Sequence, residues 1–353
     1  MDLSSNQLND ILYIDFNQDH SCFVVGTETG YEIFQTDPIQ HTHARKFQGA
    51  AGIGLVSMLY RSNVLALVGG GRNPRYPLTK VILWDDKESK AIAELTYRTS
   101  VRSVKLRRDM IAVAVDAKVY LYRFSDLSVL DTLDASGVDD LRNLISVSGA
   151  PDKAVLACPA NVKGKVNVCF YDVAGVASSA SGPTARLKTT SIQAHESTLA
   201  VLALNHDGTR LATASVKGTL IRVFDTTTGE RLFELRRGAE KVDVYSIAFN
   251  AASDWLAVSS DKGTVHVFSL RSTGDMNQKS SLSAISSVLP SYFQSQWSFA
   301  QLRVPDYRSI CCFGRDPNVV VCLCADGSYY RAKFDPVLGG EMTNVKLEKF
   351  DTT

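Results

Sequence analysis

Little in this chain marks it as a bulk binder of anything charged. Its 38 lysines and arginines are met by 37 aspartates and glutamates, a formal net charge of +1 over 353 residues. A broadly basic nucleic-acid surface is not expected, so any affinity for anions has to come from local placement of charge. Long apolar runs are missing too. None approaches the ~20 residues that a membrane-spanning helix needs, and the N-terminal MDLSSNQLNDILYIDF lacks the basic and apolar regions of a secretory signal. A cytoplasmic protein is expected, one that meets a membrane only from outside. The seven cysteines, Cys22, Cys158, Cys169, Cys311, Cys312, Cys322 and Cys324, are odd in number and sit in apolar runs such as VNVCFYDV and VVVCLCADG. They read as buried reduced thiols. No C-x-x-C spacing occurs, and strand alternation explains Cys322 and Cys324 as neighbours on one face, so no metal is expected. There is no G-x-S-x-G, no H-E-x-x-H and no persuasive carboxylate pair, which argues against an enzyme and gives no reason to expect a cofactor. Long helical patterns are scarce. With 45% hydrophobic and 21% charged residues, the composition is that of a globular protein with a core large enough to need no staple.

What the chain does have is a repeat. LNHDGTRLATASVKGTLIRVF (Leu204 to Phe224) matches FNAASDWLAVSSDKGTVHVF (Phe249 to Phe268). Ser215 and Lys217-Gly218-Thr219 fall on Ser260 and Lys262-Gly263-Thr264 at an offset of about 45 residues. FNQDHSCFVVGTETGYEIF and FGRDPNVVVCLCADGSYYRAKF have the same outline: a strand, a polar turn, an apolar strand, a Gly turn, and an alternating strand that ends on an aromatic. Three weaker copies lie around VSMLYRSNVLALVGGG, VRSVKLRRDMIAVAVDAKVYLYRF and LRNLISVSGAPDKAVLACPANVKGKVNVCFYDV. Seven units of about four strands each predict an all-β, seven-bladed, WD-repeat-like β-propeller formed by residues 1–353 as one domain. Two sandwich domains are the rival layout, which the internal period disfavours.

Between the two best copies lies FELRRGAEKV, with Arg236 and Arg237 side by side. Successive side chains of an extended backbone point to opposite faces, so these two arginines reach into separate places. The flanks, ATASVKGTLIR and VSSDKGTVHVF, supply hydroxyls, a Gly turn whose N–H groups can face outward, and basic side chains. That mixture suits phosphate, which a planar guanidinium holds with paired hydrogen bonds. A structural reading competes: the arginines cap a strand edge or pair with Glu234 and Glu240, much as Arg107-Arg108 in KLRRDMIAV reads as a strand-end turn.

Arg-Arg-Gly between AS-x-KGT and SS-x-KGT-V-H copies resembles the PROPPIN family of phosphoinositide-binding propellers. DFNQDHSCFVVGTETGYEIFQTDP, LALVGGGRNPRYP, ILWDD, VKLRRD, LATASVKGTLIRVFDT and PSYFQSQWSF extend the resemblance over nearly the whole chain. Leu235 before the arginines is similar to the WIPI-three and WIPI-four type subgroup. The resemblance implies a monomeric scaffold of autophagy that binds phosphatidylinositol 3-phosphate and phosphatidylinositol 3,5-bisphosphate in two rim pockets. It would sit peripherally on autophagosomal precursor, endosomal or vacuolar/lysosomal membranes. Carried over by motif, the first pocket takes His195, Thr213, Ser215, Gly218, Thr219, Arg222 and Arg236. The second takes Arg237, Ser260, Thr264 and His266. Thr213 stands where many members have Ser, and Leu235 is expected to pack inward. His195 in QAHEST also admits a structural role in a hydrogen-bond network with Asp and Ser. His266 alternates with Val265 and Val267 and is expected to point away from the apolar face. The alternative function is a WD-repeat protein-interaction ring with no lipid role.

Two stretches lack blade character. Residues 271–297, RSTGDMNQKSSLSAISSVLPSYFQSQW, read as a loop between the sixth and seventh blades, polar at first and apolar later. Leu282, Ile285, Val288, Leu289, Tyr292 and Phe293 are candidates for insertion at a bilayer interface, as the resemblance also implies, with Trp297 and Phe299 expected in the core. Phosphates on the serines from Ser280 to Ser287 would repel anionic lipid. GGGRNPRYPLTK, from Gly69 to Lys80, lacks the Lys-Ser/Thr of a P-loop. In the family the early blades face an autophagy lipid-transfer protein, which makes Arg72 and Arg75 candidate contacts.

Overall fold

The computed structural model describes residues 1–3, 10–49, 51–142, 144–172, 186–271, 296–305 and 308–350. Among the described residues there is no helix, and the strands form seven sheets, antiparallel apart from two short parallel strands added at the outer edges of two of them. Each sheet is a blade whose first strand lies innermost. In blade five the order is Leu199–Leu204, Arg210–Ser215, Leu220–Asp225, Arg231–Arg236; in blade six it is Val244–Phe249, Trp255–Ser260, Thr264–Ser269, Ala300–Arg303. The expected seven-bladed propeller is the fold observed.

The hydrophobic gradient across each blade explains the layering. Second strands such as Met110–Val115, Trp255–Ser260 and Val319–Cys324 are buried along their whole length, which is why they read as continuous apolar runs. Outermost strands such as Gln40–Lys46 and Thr343–Lys349 are largely or wholly exposed and polar. The core is therefore a series of apolar seams between blades. One holds Leu235, Ile221 and Ala214 of blade five against Val258 and Phe268 of blade six. Another closes the ring, packing Phe23 and Phe34 of blade one against Val321 and Tyr329 of blade seven. Polar bonds lock that closure: Tyr329 Oη donates to the Thr36 carbonyl at 2.9 Å and Arg331 pairs with Asp37 at 2.8 Å. All seven cysteines are free and buried, and burial pushes the Cys311 thiol up to about 12.

The segment 271–297 departs from expectation in its place. Strand Thr264–Ser269 pairs with Ala300–Arg303 in the same sheet, so the segment interrupts blade six rather than separating it from blade seven. Its end, Gln296–Trp297, adds a short parallel strand to the outer edge of blade five beside Leu235–Arg236. Trp297 is consequently only half-buried at that edge, whereas Phe299 enters the seam between blades six and seven as expected. Leu282, Ile285, Val288, Leu289, Tyr292 and Phe293 lie outside the described residues.

Arg107 proves to be more than a strand-end turn. Its buried guanidinium donates to the carbonyls of Ala150, Pro151 and Lys153 at 2.6, 3.0 and 2.7 Å and pairs with Asp109 at 2.7 Å. It staples blade three to the loop inside blade four. Its neighbour Arg108 is exposed and stacks 5.0 Å from the Tyr60 ring. Removing a charged donor leaves buried carbonyls unpaired. Arg107→Ala should therefore cost about 2–4 kcal/mol in chemical denaturation, and Arg108→Ala under about 1 kcal/mol. Equal costs would contradict the staple.

Candidate functional site

Strand register decides where the two arginines go. Thr213 faces Arg222 across one pair of strands, and Arg222 faces Glu234 across the next, with Leu220 opposite Arg236. Side chains opposite one another share a face, so Thr213, Ser215, Arg222, Glu234 and Arg236 stand on one side of blade five. Leu211 and Phe224 of that same side pack toward Ile192 and Val155 of blade four. The other side carries Ala212, Ala214, Ile221 and Leu235 into blade six. Leu235 packs inward as expected. Arg237, two residues on, shares its side, and Nη2 donates to Ser260 Oγ of blade six at 3.0 Å. Arg236 and Arg237 are both buried, at 6% and 9% exposure, on opposite faces.

The blade four side gathers most of the first expected set. His195 Nε2 lies 3.0 Å from Thr213 Oγ1. Arg222 donates from Nη1 to the Ala194 carbonyl at 2.7 Å and from Nε to Glu234 at 2.9 Å. Glu234 also takes Arg231 at 2.7 Å, so its role is to fix Arg222, which sequence reading did not assign. Burial, reinforced by the Arg222 charge, pushes His195 down to about 4. The imidazole is neutral near pH 7 and tied to Thr213, not to an aspartate. Gly218 serves geometry: at φ 65° a Cβ would lie 2.0 Å from the Val242 carbonyl oxygen. Its N–H donates to the Ser215 carbonyl at 2.8 Å, so this amide is committed to the turn and does not face outward. Thr219 is half-buried and its carbonyl accepts the Arg237 N–H at 3.0 Å.

The blade six side holds the second set. Val258 is paired with His266, so Ser260, Thr264 and His266 share the face that looks toward blade five and Arg237. His266 is buried, stacks 6.3 Å from Phe268, and is pushed down to about 4 by burial and then by the Arg237 charge. Thus it does point away from Val265 and Val267, yet remains covered by the neighbouring blade. Thr264 is half-buried, its hydroxyl 3.4 Å from the Lys262 carbonyl. Burial lowers the Arg237 pKa, against the attraction of Asp261 and Glu240, but no carboxylate comes within ion-pair distance of it among the described residues. Three buried atoms here lack partners among the described residues: Arg237 Nε, His266 Nδ1 and Asp261 Oδ1. Asp261 escaped the sequence reading, although SSDKGT against ASVKGT displays it.

Arg72 and Arg75 lie elsewhere, exposed on the blade two loop. Arg72 sits 3.7 Å from Glu28, and Arg75 stacks 5.2 Å from the Phe47 ring centre.

The PROPPIN family model matches residues 11–350. Autophagy-related protein 18e of Arabidopsis thaliana is 36% identical over 346 residues, covering 96% of this chain and 88% of its own. Autophagy-related protein 18 of Dictyostelium discoideum is 31% identical over 361 residues, with 95% and 92% covered. Among solved structures, Kluyveromyces lactis Hsv2 superimposes with a TM-score of 0.73 at 22% identity over 97% of this chain and 98% of that one. A complex of KlAtg21 with the coiled-coil of AgAtg16 gives 0.77 at 23% identity over 97% and 100%. These structures share the fold; the sequence relatives carry the kinship, and by them the chain belongs to the PROPPIN family.

Proposed function

We propose that this protein is a non-enzymatic phosphoinositide-reading scaffold of autophagy. Its ligands are phosphatidylinositol 3-phosphate and phosphatidylinositol 3,5-bisphosphate. Arg236 with Thr213, Ser215, Arg222 and His195 forms one headgroup pocket between blades four and five. Arg237 with Ser260, Thr264 and His266 forms the other between blades five and six. The observation that carries this reading is the group of unpartnered buried polar atoms around Arg237. A guanidinium removed from water without a carboxylate against it is costly, and a phosphate would meet that demand with charge-assisted bonds. Two weak pockets on one rigid ring gain from effective concentration on a membrane. The segment holding Leu282, Ile285, Val288, Leu289, Tyr292 and Phe293 would add apolar insertion beside them. The protein would then act peripherally on autophagosomal precursor, endosomal or vacuolar/lysosomal membranes. There it would recruit an autophagy lipid-transfer protein, with Arg72 and Arg75 as its contacts. A pure protein-interaction ring is the second reading, favoured by the coiled-coil complex of a similarly folded protein.

Liposome flotation separates the two. Arg236→Ala or Arg237→Ala should weaken binding to vesicles bearing 3-phosphorylated inositides by roughly 10- to 100-fold, the loss of about 1.5–3 kcal/mol. The double variant should abolish it, and binding unaltered in the double variant would refute lipid reading.

The two neutral histidines add a pH signature. Each takes up a proton in the unfolded chain near 6.5 but in the native protein only near 4. The unfolded state therefore binds more protons between those values, and stability should fall as pH drops from about 6.5 toward 4. His195→Gln with His266→Gln should flatten that profile, read by thermal unfolding. Ser-to-Glu changes across Ser280 to Ser287 should weaken vesicle binding, and intact binding would exclude an electrostatic role for those serines.

A further inference from the structure

The two pockets are copies that differ at one informative position. Blade five reads Ser215-Val216-Lys217-Gly218-Thr219 where blade six reads Ser260-Asp261-Lys262-Gly263-Thr264. Val216 and Asp261 are equivalent in the fold. The Val216 N–H donates to the Thr198 carbonyl at 2.9 Å, and the Asp261 N–H to the Asp243 carbonyl at 3.0 Å. The following glycines have φ of 65° and 60°. Their side chains fare differently. Val216 is 40% exposed. Asp261 Oδ1 is buried with no hydrogen-bond partner among the described residues, and Asp261 is the strongest attraction on the buried Arg237.

The second pocket thus holds an unmet donor, Arg237 Nε, and an unmet acceptor, Asp261 Oδ1. A phosphate supplies acceptors only and meets the first while repelling the second. A hydroxyl supplies a donor and meets the second. One molecule that meets both is a phosphorylated polyol that keeps a free ring hydroxyl; in phosphatidylinositol 3-phosphate that is the 5-hydroxyl, the group that the 3,5-bisphosphate lacks. A second phosphate in place of that hydroxyl would leave the carboxylate unpaired and add like-charge repulsion.

We propose that Asp261 is a specificity-determining residue: it accepts a hydrogen bond from a free ring hydroxyl and turns the second pocket toward singly phosphorylated inositol headgroups. The first pocket has Val216 there and tolerates the further phosphate. The two pockets therefore read different headgroups. This rests on the pockets being phosphoinositide sites, as proposed above.

The test isolates each pocket. With Arg236→Ala as background, vesicles carrying phosphatidylinositol 3-phosphate should bind in preference to those carrying phosphatidylinositol 3,5-bisphosphate. Asp261→Val, the residue of the sister position, should move that preference toward the bisphosphate by roughly 5- to 10-fold. With Arg237→Ala as background, Val216→Asp should move the first pocket the other way. The exposed position of Val216 keeps this arm informative if Asp261→Val does not fold. The soluble headgroups should give the same ratios, since the discrimination lies in the ring; a preference seen on vesicles alone overturns the proposal. Ratios that stay within about twofold in both swaps, while Arg237→Ala still removes the binding left in the Arg236→Ala protein, overturn the role of Asp261 and leave the lipid reading standing. Residual binding indifferent to Arg237→Ala overturns both.

Discussion

Leu235 settles the geometry of this protein's rim. It is completely buried in the seam between blades five and six. Once that apolar side chain is committed, the pleat leaves its neighbours no choice: Arg236 turns toward blade four, and Arg237, beyond it, toward blade six. Burying a leucine contributes about 1.5–3 kcal/mol, and the neighbours Ala214, Ile221, Val258 and Phe268 of the same seam add to it. A one-residue slip would exchange the faces of every side chain on the strand. Two arginines buried on opposite faces, in place of one basic patch, are thus a consequence of core packing.

The fold was largely legible because each blade repeats one hydrophobic outline. The paired KGT turns announced blades five and six, and the fully apolar second strands announced the others. The site was legible in part. Alternation alone sets Arg236 and Arg237 on opposite faces. What it could not place were partners fixed by tertiary contact. Glu234 sits beside the arginines in sequence and looks like their counter-ion, yet the register sets it opposite Arg222. The Gly218 amide, free by pattern, is used by its own turn. The segment 271–297 was misplaced because the strand that follows it, Ala300–Arg303, is four residues long and carries no blade outline of its own. Trp297, expected in the core with Phe299, instead lies along the edge of blade five, where aromatic bulk can cover one side and stay wet on the other.

The repeat also frames how the pockets differ. Each face takes a basic or hydroxyl group from one blade and a hydroxyl from the next: His195 against Thr213 in one, Arg237 against Ser260 in the other. Where the first copy has Arg222, held by Glu234, the second has His266, neutral and unpaired at Nδ1. The first pocket therefore brings more fixed positive charge, and the second more unmet hydrogen-bonding capacity. Charge acts at a distance and tolerates imprecise placement, whereas a neutral donor or acceptor acts only in contact and at the right angle. If both bind headgroups as proposed, the first pocket would capture and the second discriminate.

Bivalent reading demands a stiff spacer, since the advantage of a second site vanishes when the sites move independently. The ring supplies stiffness through seams that run unbroken from blade one to blade seven and through polar locks at Tyr329 and Arg331. The edge of blade five is held further by the parallel strand Gln296–Trp297. That pairing places the end of the segment 271–297 directly beside Arg236, while its start, at Arg271, is tied to Asp254 at 2.7 Å. If the segment inserts as proposed, insertion and headgroup capture would be coupled, because the strand that ends in Arg236 is also the strand beside which Gln296–Trp297 lies.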